Sequence, residues 1–162
     1  CYNALPAPDP TSPLKLIPTS TAEIYATMLP SHPLAVFEKI DLHQLSDTDI
    51  ILLDAKSCIQ GQIMEEFQRL GILPRIRSTH EQIFCMLNMV KLGNFVGFLN
   101  ASDPIMRQYL TDIGLIIRPL DPPVTLAAGF IVNTRRHLPK LAEELISFTR
   151  RLETEGTAKE TQ

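Results

Sequence analysis

The run Asp49-Ile50-Ile51-Leu52-Leu53 decides the fold class of this chain. It is apolar after its first residue and bounded by polar residues, which is typical of a strand buried on both faces of a sheet. Apolar residues then recur at helical spacing and stop at Gly71, the residue type favoured directly after a helix. The helical positions are Ile59, Ile63, Phe67 and Leu70. A buried strand followed by an amphipathic helix is the repeating unit of an α/β fold.

The same alternation of strands and helices extends in both directions from this run. Turn residues and apolar periodicity predict further strands over residues 24–29, 74–77, 95–99, 115–117 and 124–132. They predict further helices over residues 79–92 and 102–112 and from Pro139 onward. Strands that alternate with helices of about twelve residues require right-handed crossovers and a mostly parallel sheet. The expected fold class is therefore α/β, with a doubly wound sheet and helices on both of its faces.

The two ends of the chain differ from its middle in composition. Residues 1–20 are rich in proline, serine and threonine, so we expect an extended lead-in there. The last helix is expected to be amphipathic, with one apolar face turned inward. Its inward positions are Leu141, Leu145, Phe148 and Leu152. Residues 153–162 are polar and are predicted to form a disordered tail.

Polar groups gather at the predicted start of the second helix. Ser78-x-x-Glu81 and Thr79-x-x-Gln82 both have the spacing of a capping box, in which a side-chain oxygen accepts a hydrogen bond from the first turn. Ligands of open parallel sheets bind beyond the carboxyl ends of the strands, against helix N-termini. We therefore expect this loop to contact an anionic group of a ligand. A plain helix cap without a ligand is the alternative interpretation.

Composition and charge exclude several classes of function. The chain has 162 residues, and 15 Lys and Arg against 18 Asp and Glu give a net charge of −3. The chain has no basic stripe, so its charge distribution does not favour binding to nucleic acid or to an anionic membrane surface. The longest apolar run, 124–132, is too short to span a bilayer. Metal-ligand spacing, a phosphate-binding loop and a nucleophile elbow are all missing, so no metal, no cofactor and no enzymatic activity are predicted.

Six short motifs occur in a fixed order along most of the chain. They are His32-Pro33-Leu34-Ala35, Ile40-x-Leu42-x-x-Leu45, Asp49-Ile50-Ile51-Leu52, Phe67-x-x-x-Gly71-x-x-Pro74-x-Ile76, Val90-Lys91-Leu92-Gly93-Asn94-Phe95-Val96-Gly97-Phe98-Leu99 and Gly114-Leu115-x-x-Arg118-Pro119-Leu120. This ordered set resembles the effector-binding domain of LysR-type transcriptional regulators, from about Thr21 to Leu152. Two residues depart from the family pattern. Phe95 stands where the family has a second glycine, and Asn100 stands where it has a proline.

The resemblance implies a fold like that of the type II periplasmic binding proteins, with a small-molecule effector held in a cleft between two lobes. It implies that residues 21–121 form the second lobe and that residues 122–152 return to the first lobe. It also implies an N-terminally truncated protein, because the winged helix-turn-helix and the opening half of the first lobe have no counterpart in the chain.

The resemblance further implies where an effector would be contacted. The loop after strand 74–77 supplies effector contacts in the family, and crossing strands, here residues 22–24 and 124–125, line the cleft. Asn100 is added because it follows a neighbouring strand at the same edge of the sheet. The candidate effector-binding residues are Ser78, Thr79, His80, Glu81, Asn100 and Thr125.

The same resemblance implies three kinds of partner: a small-molecule effector, further copies of the chain, and DNA only through the missing N-terminal domain. The predicted helix start favours an anionic group on the effector, and Glu81 favours an ammonium group, so an anionic or zwitterionic metabolite is expected. The expected location is the cytoplasm, without membrane contact.

A solute-binding protein of a transport system shares the expected fold and is the alternative function. Three cysteines without a CxxC spacing and the His32–Ala35 motif favour the regulator, as does the expectation that no secretory signal is present. The sequence upstream of Cys1 would discriminate, because a regulator has a winged helix-turn-helix there and a transport protein has a signal peptide.

Overall fold

The computed structural model describes residues 2–4 and 11–159, with side chains described for residues 11–152. The chain divides into two compact units. One unit consists of Cys1–Ala22 and Ala127–Gln162, and the other of Glu23–Leu126. Two long strands, β2 (Leu14–Met28) and β7 (Ile116–Asn133), contribute residues to both units.

The larger unit, Glu23–Leu126, is built around four neighbouring strands in the order β2, β6, β4, β5. The central strand β4 (Asp49–Leu53) runs parallel to both β5 (Arg75–His80) and β6 (Val96–Asn100). β6 pairs antiparallel with β2, so the sheet is mixed at that side. A two-residue strand, β3 (Ile40–Asp41), pairs parallel with β7. The expected α/β fold class is confirmed.

Helices cover both faces of this sheet. Phe67 of α1 (Cys58–Arg69) packs edge-on against Phe98 of β6, with ring centres 6.4 Å apart. The next residue of β6, Leu99, points to the opposite face, because side chains alternate along a strand. There it joins the buried cluster formed with α2 (Ile83–Gly93). The members of that cluster are Tyr25, Ile51, Met86, Leu87, Val90, Leu99, Ala101, Leu110 and Leu115.

The turns after the helices have the expected glycines. Gly71 follows α1 with φ of +69°, and Gly114 follows α3 (Pro104–Asp112) with φ of +79°. Both conformations are left-handed, which costs glycine little because it has no Cβ atom. α3 begins as expected at Asp103-Pro104, where the Asp103 carboxylate accepts a hydrogen bond from the Ile105 amide at 2.9 Å.

Two predictions about strands are wrong. β2 begins at Leu14, so part of the lead-in expected over residues 1–20 is a strand, and β1 (Tyr2–Ala4) precedes it. The strands expected over 115–117 and 124–132 are one strand, β7. Proline is compatible with an extended backbone wherever its nitrogen does not face a partner in the ladder, so prolines need not end a strand. Residues 1 and 5–10 of the lead-in lie outside the described residues.

The end of the chain also differs from its prediction. α4 spans Lys140–Lys159, so the tail expected to be disordered over 153–162 is helical as far as Lys159. Residues 160–162 lie outside the described residues. Charged and polar residues with ordinary helix propensity can extend a helix without burying a face. The helices of the described residues all lack the long apolar stretch that a membrane-spanning helix needs.

The expected inward face of α4 is wrong as well. Leu141 is 77% exposed, and Leu145, Phe148 and Leu152 are each at least half exposed. Ile146 is the buried apolar side chain of this helix within residues 140–152. Spacing identified the apolar stripe correctly, but spacing cannot show whether the rest of the unit covers it.

Candidate functional site

The carboxyl ends of three parallel strands meet at one edge of the larger unit. β4 ends at Leu53, β5 at His80 and β6 at Asn100. The Asp54 amide donates to the His80 carbonyl at 3.0 Å and so continues the ladder past the end of β4. This is the edge at which open parallel sheets bind their ligands.

A cavity of about 490 Å³ opens at this edge, within the range of ordinary ligand sites. We call it the carboxyl-edge cavity. It is lined by Leu53, Asp54, Lys56, Ser57, Glu81, Gln82 and Ile83. Ser57 and Gln82 are the N-cap residues of α1 and α2, and neither side chain caps its helix. The N-terminal ends of both helices, with their positive dipole ends, therefore lie at the wall of the cavity.

Lys56 supplies the positive side chain of this cavity. Its Nζ lies 3.9 Å from Asp54 Oδ2 and 3.6 Å from Glu81 Oε1, and the side chain is 84% exposed. Ion pairs this exposed contribute little to stability, so an anion could replace either carboxylate at low cost. The cavity can therefore accept an anionic group beside Lys56, and its two carboxylates can accept a cationic one.

The expected capping boxes are absent. Ser78, Thr79 and His80 belong to β5 and pair with Ile51, Leu52 and Leu53 of β4. α2 begins only at Ile83, beyond the reach of a cap at Ser78 or Thr79. The backbone of residues 78–80 forms the ladder with β4, so a helix cannot begin at Ser78 or Thr79. The Ser78 hydroxyl instead bonds to His80 Nε2 at 2.9 Å, and Glu81 faces Lys56.

The other candidate residues lie elsewhere. Asn100 uses its side-chain oxygen to accept a hydrogen bond from the Ser102 amide at 2.9 Å. Thr125 is exposed on β7 between two buried residues, and neither Asn100 nor Thr125 lines the carboxyl-edge cavity. Of residues 22–24, Ile24 is fully buried and cannot line a cleft with its side chain. Among the six candidates, the structure brings Glu81 into this cavity.

Lys56 and Ser57 are not among the six candidate residues. The sequence places their loop, 54–57, at the ligand-binding edge, because it follows a predicted parallel strand, but it does not single out these two side chains. Among the described residues, no group of three or more His, Cys, Asp or Glu side chains could hold a metal ion.

The LysR substrate-binding domain family model matches residues 5–153. The chain belongs to this family. The match covers most of the chain, and it confirms the regulator interpretation over the transport alternative. It also agrees with the motifs between His32 and Leu120 that carried the resemblance.

Solved structures of the LysR family have the same fold. The effector-binding domain of QuiR in complex with shikimate has a TM-score of 0.75 and 16% identity, with 92% of this chain and 70% of that one covered. HinK of Pseudomonas aeruginosa has a TM-score of 0.74 and 23% identity, with 92% and 51% covered. The regulatory domain of Synechocystis PCC6803 CcmR in complex with 2-PG has a TM-score of 0.75 and 16% identity, with 92% and 71% covered. The chain thus spans about half of HinK and about 70% of the two domain structures.

Proposed function

We propose that this chain binds a small-molecule effector with an anionic group at the carboxyl-edge cavity and thereby controls transcription by a LysR-type regulator. Family membership supplies the class of function. The observation that carries the site is the cavity itself, which places Lys56 at the ends of the parallel strands and beside the starts of α1 and α2.

An anionic group has three favourable neighbours at this position. The dipole of each helix favours a negative charge by about 0.3–1 kcal/mol at an exposed end. Lys56 adds a third positive group, and it is held loosely by Asp54 and Glu81. The same two carboxylates suit an ammonium group, so a zwitterion would use both halves of the cavity. The carboxylate ligand of QuiR, shikimate, supports an anionic effector.

Other candidate residues have supporting roles in this proposal. Thr79 is exposed and His80 half-buried at the end of β5, beside Glu81. We infer that they contact the part of the effector that extends out of the cavity. Asn100 and Thr125 would contact an effector only if it extended beyond the residues that line the carboxyl-edge cavity.

The remaining inferences concern the whole regulator. Because the family consists of regulator domains, we infer that the chain catalyses no reaction. We infer that it acts in the cytoplasm, where a regulator meets DNA, and that DNA is bound by a winged helix-turn-helix outside this chain.

A thermal-shift panel tests the proposed site. The chain is melted with shikimate, with other small carboxylates and phosphates, and with uncharged analogues of matched size. At least one anionic compound is expected to raise the melting temperature in a saturable manner. Lys56→Met should abolish that increase, since it removes the positive side chain and retains the length of the aliphatic stem.

Lys91→Met is the matched control. Lys91 is an exposed lysine near the end of α2, and it does not line the carboxyl-edge cavity. The control should respond to the compound as the wild-type chain does. A panel in which only uncharged compounds stabilise the chain, or a response that survives Lys56→Met, would contradict the proposal.

A further inference from the structure

A second cavity lies at the opposite edge of the larger unit, where β4 and β5 begin. It has a volume of about 360 Å³, which is large enough for a small metabolite. We call it the amino-edge cavity. Its wall includes residues 47–49 at the start of β4, Arg75 at the start of β5, and residues 93–95 between α2 and β6. It shares no lining residue with the carboxyl-edge cavity, so the two cavities can take different ligands.

His32 provides this cavity with a hydrogen-bond donor on a nearly buried side chain. The residue lines the cavity and is 6% exposed. Its Nδ1 accepts a hydrogen bond from the Leu34 amide at 3.1 Å, so the neutral ring has its proton on Nε2. Among the described residues, none forms a hydrogen bond with Nε2. An oxygen atom of a ligand would supply the acceptor that this N–H group lacks.

The charges at the wall favour a cationic ligand. Arg75 is the positive side chain of the lining, and it is already engaged: its Nε lies 3.1 Å from Asp49 Oδ1, and its Nη1 donates to the Asp47 carbonyl at 3.1 Å. The other oxygen of Asp49 pairs with Arg77, which lies outside the lining. The Asp47 carboxylate is exposed and has no ion-pair partner among the described residues. Because α2 ends at Gly93, the negative end of its dipole lies at the same wall.

Phe95 adds an aromatic surface to the cavity. It stands where the family pattern has a glycine, and it is half-buried in the lining. Its ring packs directly on the backbone of Gly93, where a Cβ atom would overlap the ring. The absence of a side chain at Gly93 therefore holds the ring in place. The face of an aromatic ring attracts organic cations, so Phe95 and Asp47 favour the same kind of group.

We propose that the amino-edge cavity binds a small organic cation that carries a hydroxyl or carbonyl oxygen, in the simplest case an amino alcohol. The ammonium group lies near the Phe95 ring and the Asp47 carboxylate, and the oxygen accepts a hydrogen bond from His32 Nε2. The two cavities differ in charge preference because α1 and α2 begin at the carboxyl edge, whereas α2 ends at the amino edge. The cation is thus a second ligand, distinct from an anionic effector.

Amide chemical-shift mapping with matched compounds tests this proposal. The 15N-labelled chain is titrated with ethanolamine and glucosamine, and with their uncharged counterparts ethylene glycol and glucose. At least one of the two amines is expected to cause saturable shifts at the amides of Thr48, Asn94 and Phe95. Its uncharged counterpart should bind more weakly, since it lacks the positive charge. Ethylamine should bind more weakly than ethanolamine, since it lacks the oxygen.

Three variants test the residues that would hold the cation. Asp47→Asn should weaken binding about two- to fivefold, since it removes an exposed charge. Phe95→Leu should weaken it about two- to tenfold, since it keeps the apolar bulk and removes the aromatic face. His32→Asn should have an effect of similar size, since it can still accept from the Leu34 amide and lacks Nε2.

Glu65→Gln is the matched control for the loss of a carboxylate. Glu65 is exposed on α1 and lies outside the lining, so this variant should bind the amine as the wild-type chain does. Circular dichroism and thermal melting verify that each variant is folded before it is titrated.

Several results would overturn the proposal. These are no saturable shift with either amine, saturable shifts confined to other parts of the chain, uncharged counterparts that bind as tightly as the amines, and an affinity unchanged in all three variants. The compounds are cations and the monitored amides lie at the amino edge. Failure here would therefore leave the proposed anion site at the carboxyl edge untouched, and failure of that site would not affect this one.

Discussion

Arg107 of α3 packs against Tyr25 of β2, with its guanidinium carbon 4.9 Å from the centre of the ring. Its Nη2 also donates to the Tyr25 hydroxyl at 2.8 Å, and its Nε donates to the Ala101 carbonyl at 2.6 Å. The hydroxyl in turn donates to Glu23 Oε2 at 2.8 Å. Burial and the Glu23 carboxylate raise the pKa of Tyr25, while Arg107 opposes the rise. Through Arg107 of α3, Tyr25 therefore connects β2 to Ala101 in the loop that follows β6.

Tyr25→Phe should lower the free energy of unfolding by about 1 kcal/mol, measured by urea denaturation. The substitution keeps the ring beneath Arg107 and removes only the hydroxyl. Tyr109→Phe is the control, because the Tyr109 ring packs against Phe84 and its hydroxyl has no partner among the described residues. The control should change stability by less than about 0.5 kcal/mol. Equal losses in both variants would show that the Tyr25 hydrogen bonds contribute nothing.

The stability of the fold should decrease as the pH falls through the ordinary pKa of histidine, about 6.5. Burial lowers the pKa of His32, and its Nδ1 accepts a hydrogen bond from the Leu34 amide at 3.1 Å. Protonation occurs more readily in the unfolded chain, so the contribution is complete above this pH and is lost as the pH falls towards the lower pKa of the folded state.

The measurement is the urea midpoint at a series of pH values, for the wild-type chain and for His32→Asn. The asparagine oxygen can accept the same amide hydrogen bond and does not titrate. The variant should therefore show a smaller loss of stability on acidification. An identical pH profile in the variant would show that protonation of His32 does not cause the loss of stability at low pH.

Leu87→Ala should destabilise the chain by about 2–5 kcal/mol, because it leaves a cavity in the cluster beneath α2. Leu87 is 1% exposed. Leu92 is on the same helix and is 81% exposed, so Leu92→Ala is the control and should be nearly neutral. Chemical denaturation compares the two variants directly. If Leu87→Ala has the same denaturation midpoint as the wild-type chain, α2 is packed differently.

Asp103→Ala should lower the free energy of unfolding by about 1 kcal/mol, because the Asp103 carboxylate caps α3. Thr79→Ala should cost less, since Thr79 is an exposed strand residue and caps no helix. Thermal melting of both variants distinguishes the two roles. A larger loss for Thr79→Ala would restore the capping role that the sequence predicted.

Local signals predicted much of the fold. The strand at Asp49–Leu53 and the helix that ends before Gly71 both follow from patterns that depend on nearby residues alone. The cap at Asp103 is a local feature of the same kind. Where the sequence-based prediction was wrong, pairing with a segment distant in sequence determined the local structure. Ser78 and Thr79 have the spacing of helix caps, but in the structure they pair with the buried strand β4 instead.

The candidate site could be predicted only in part. The topology rule located the edge of the sheet at which the carboxyl-edge cavity lies, because the rule depends on strand order and direction. Which side chains line the cavity depends on where α1 and α2 begin and on the reach of Lys56. Asn100 lies at this edge, as predicted. Its side-chain oxygen, however, accepts a hydrogen bond from the Ser102 amide, and the residue does not line the cavity.

Amide chemical-shift mapping tests the central claim most directly. The 15N-labelled chain is titrated with the anionic compound that stabilises it most in the thermal-shift panel. Saturable shifts are predicted to concentrate at the amides of residues 56–60 and 81–85, which surround the starts of α1 and α2. Saturable shifts confined to the opposite edge of the sheet, around His32 and Asp47, would contradict the account, as would no saturable shift with any anion tested.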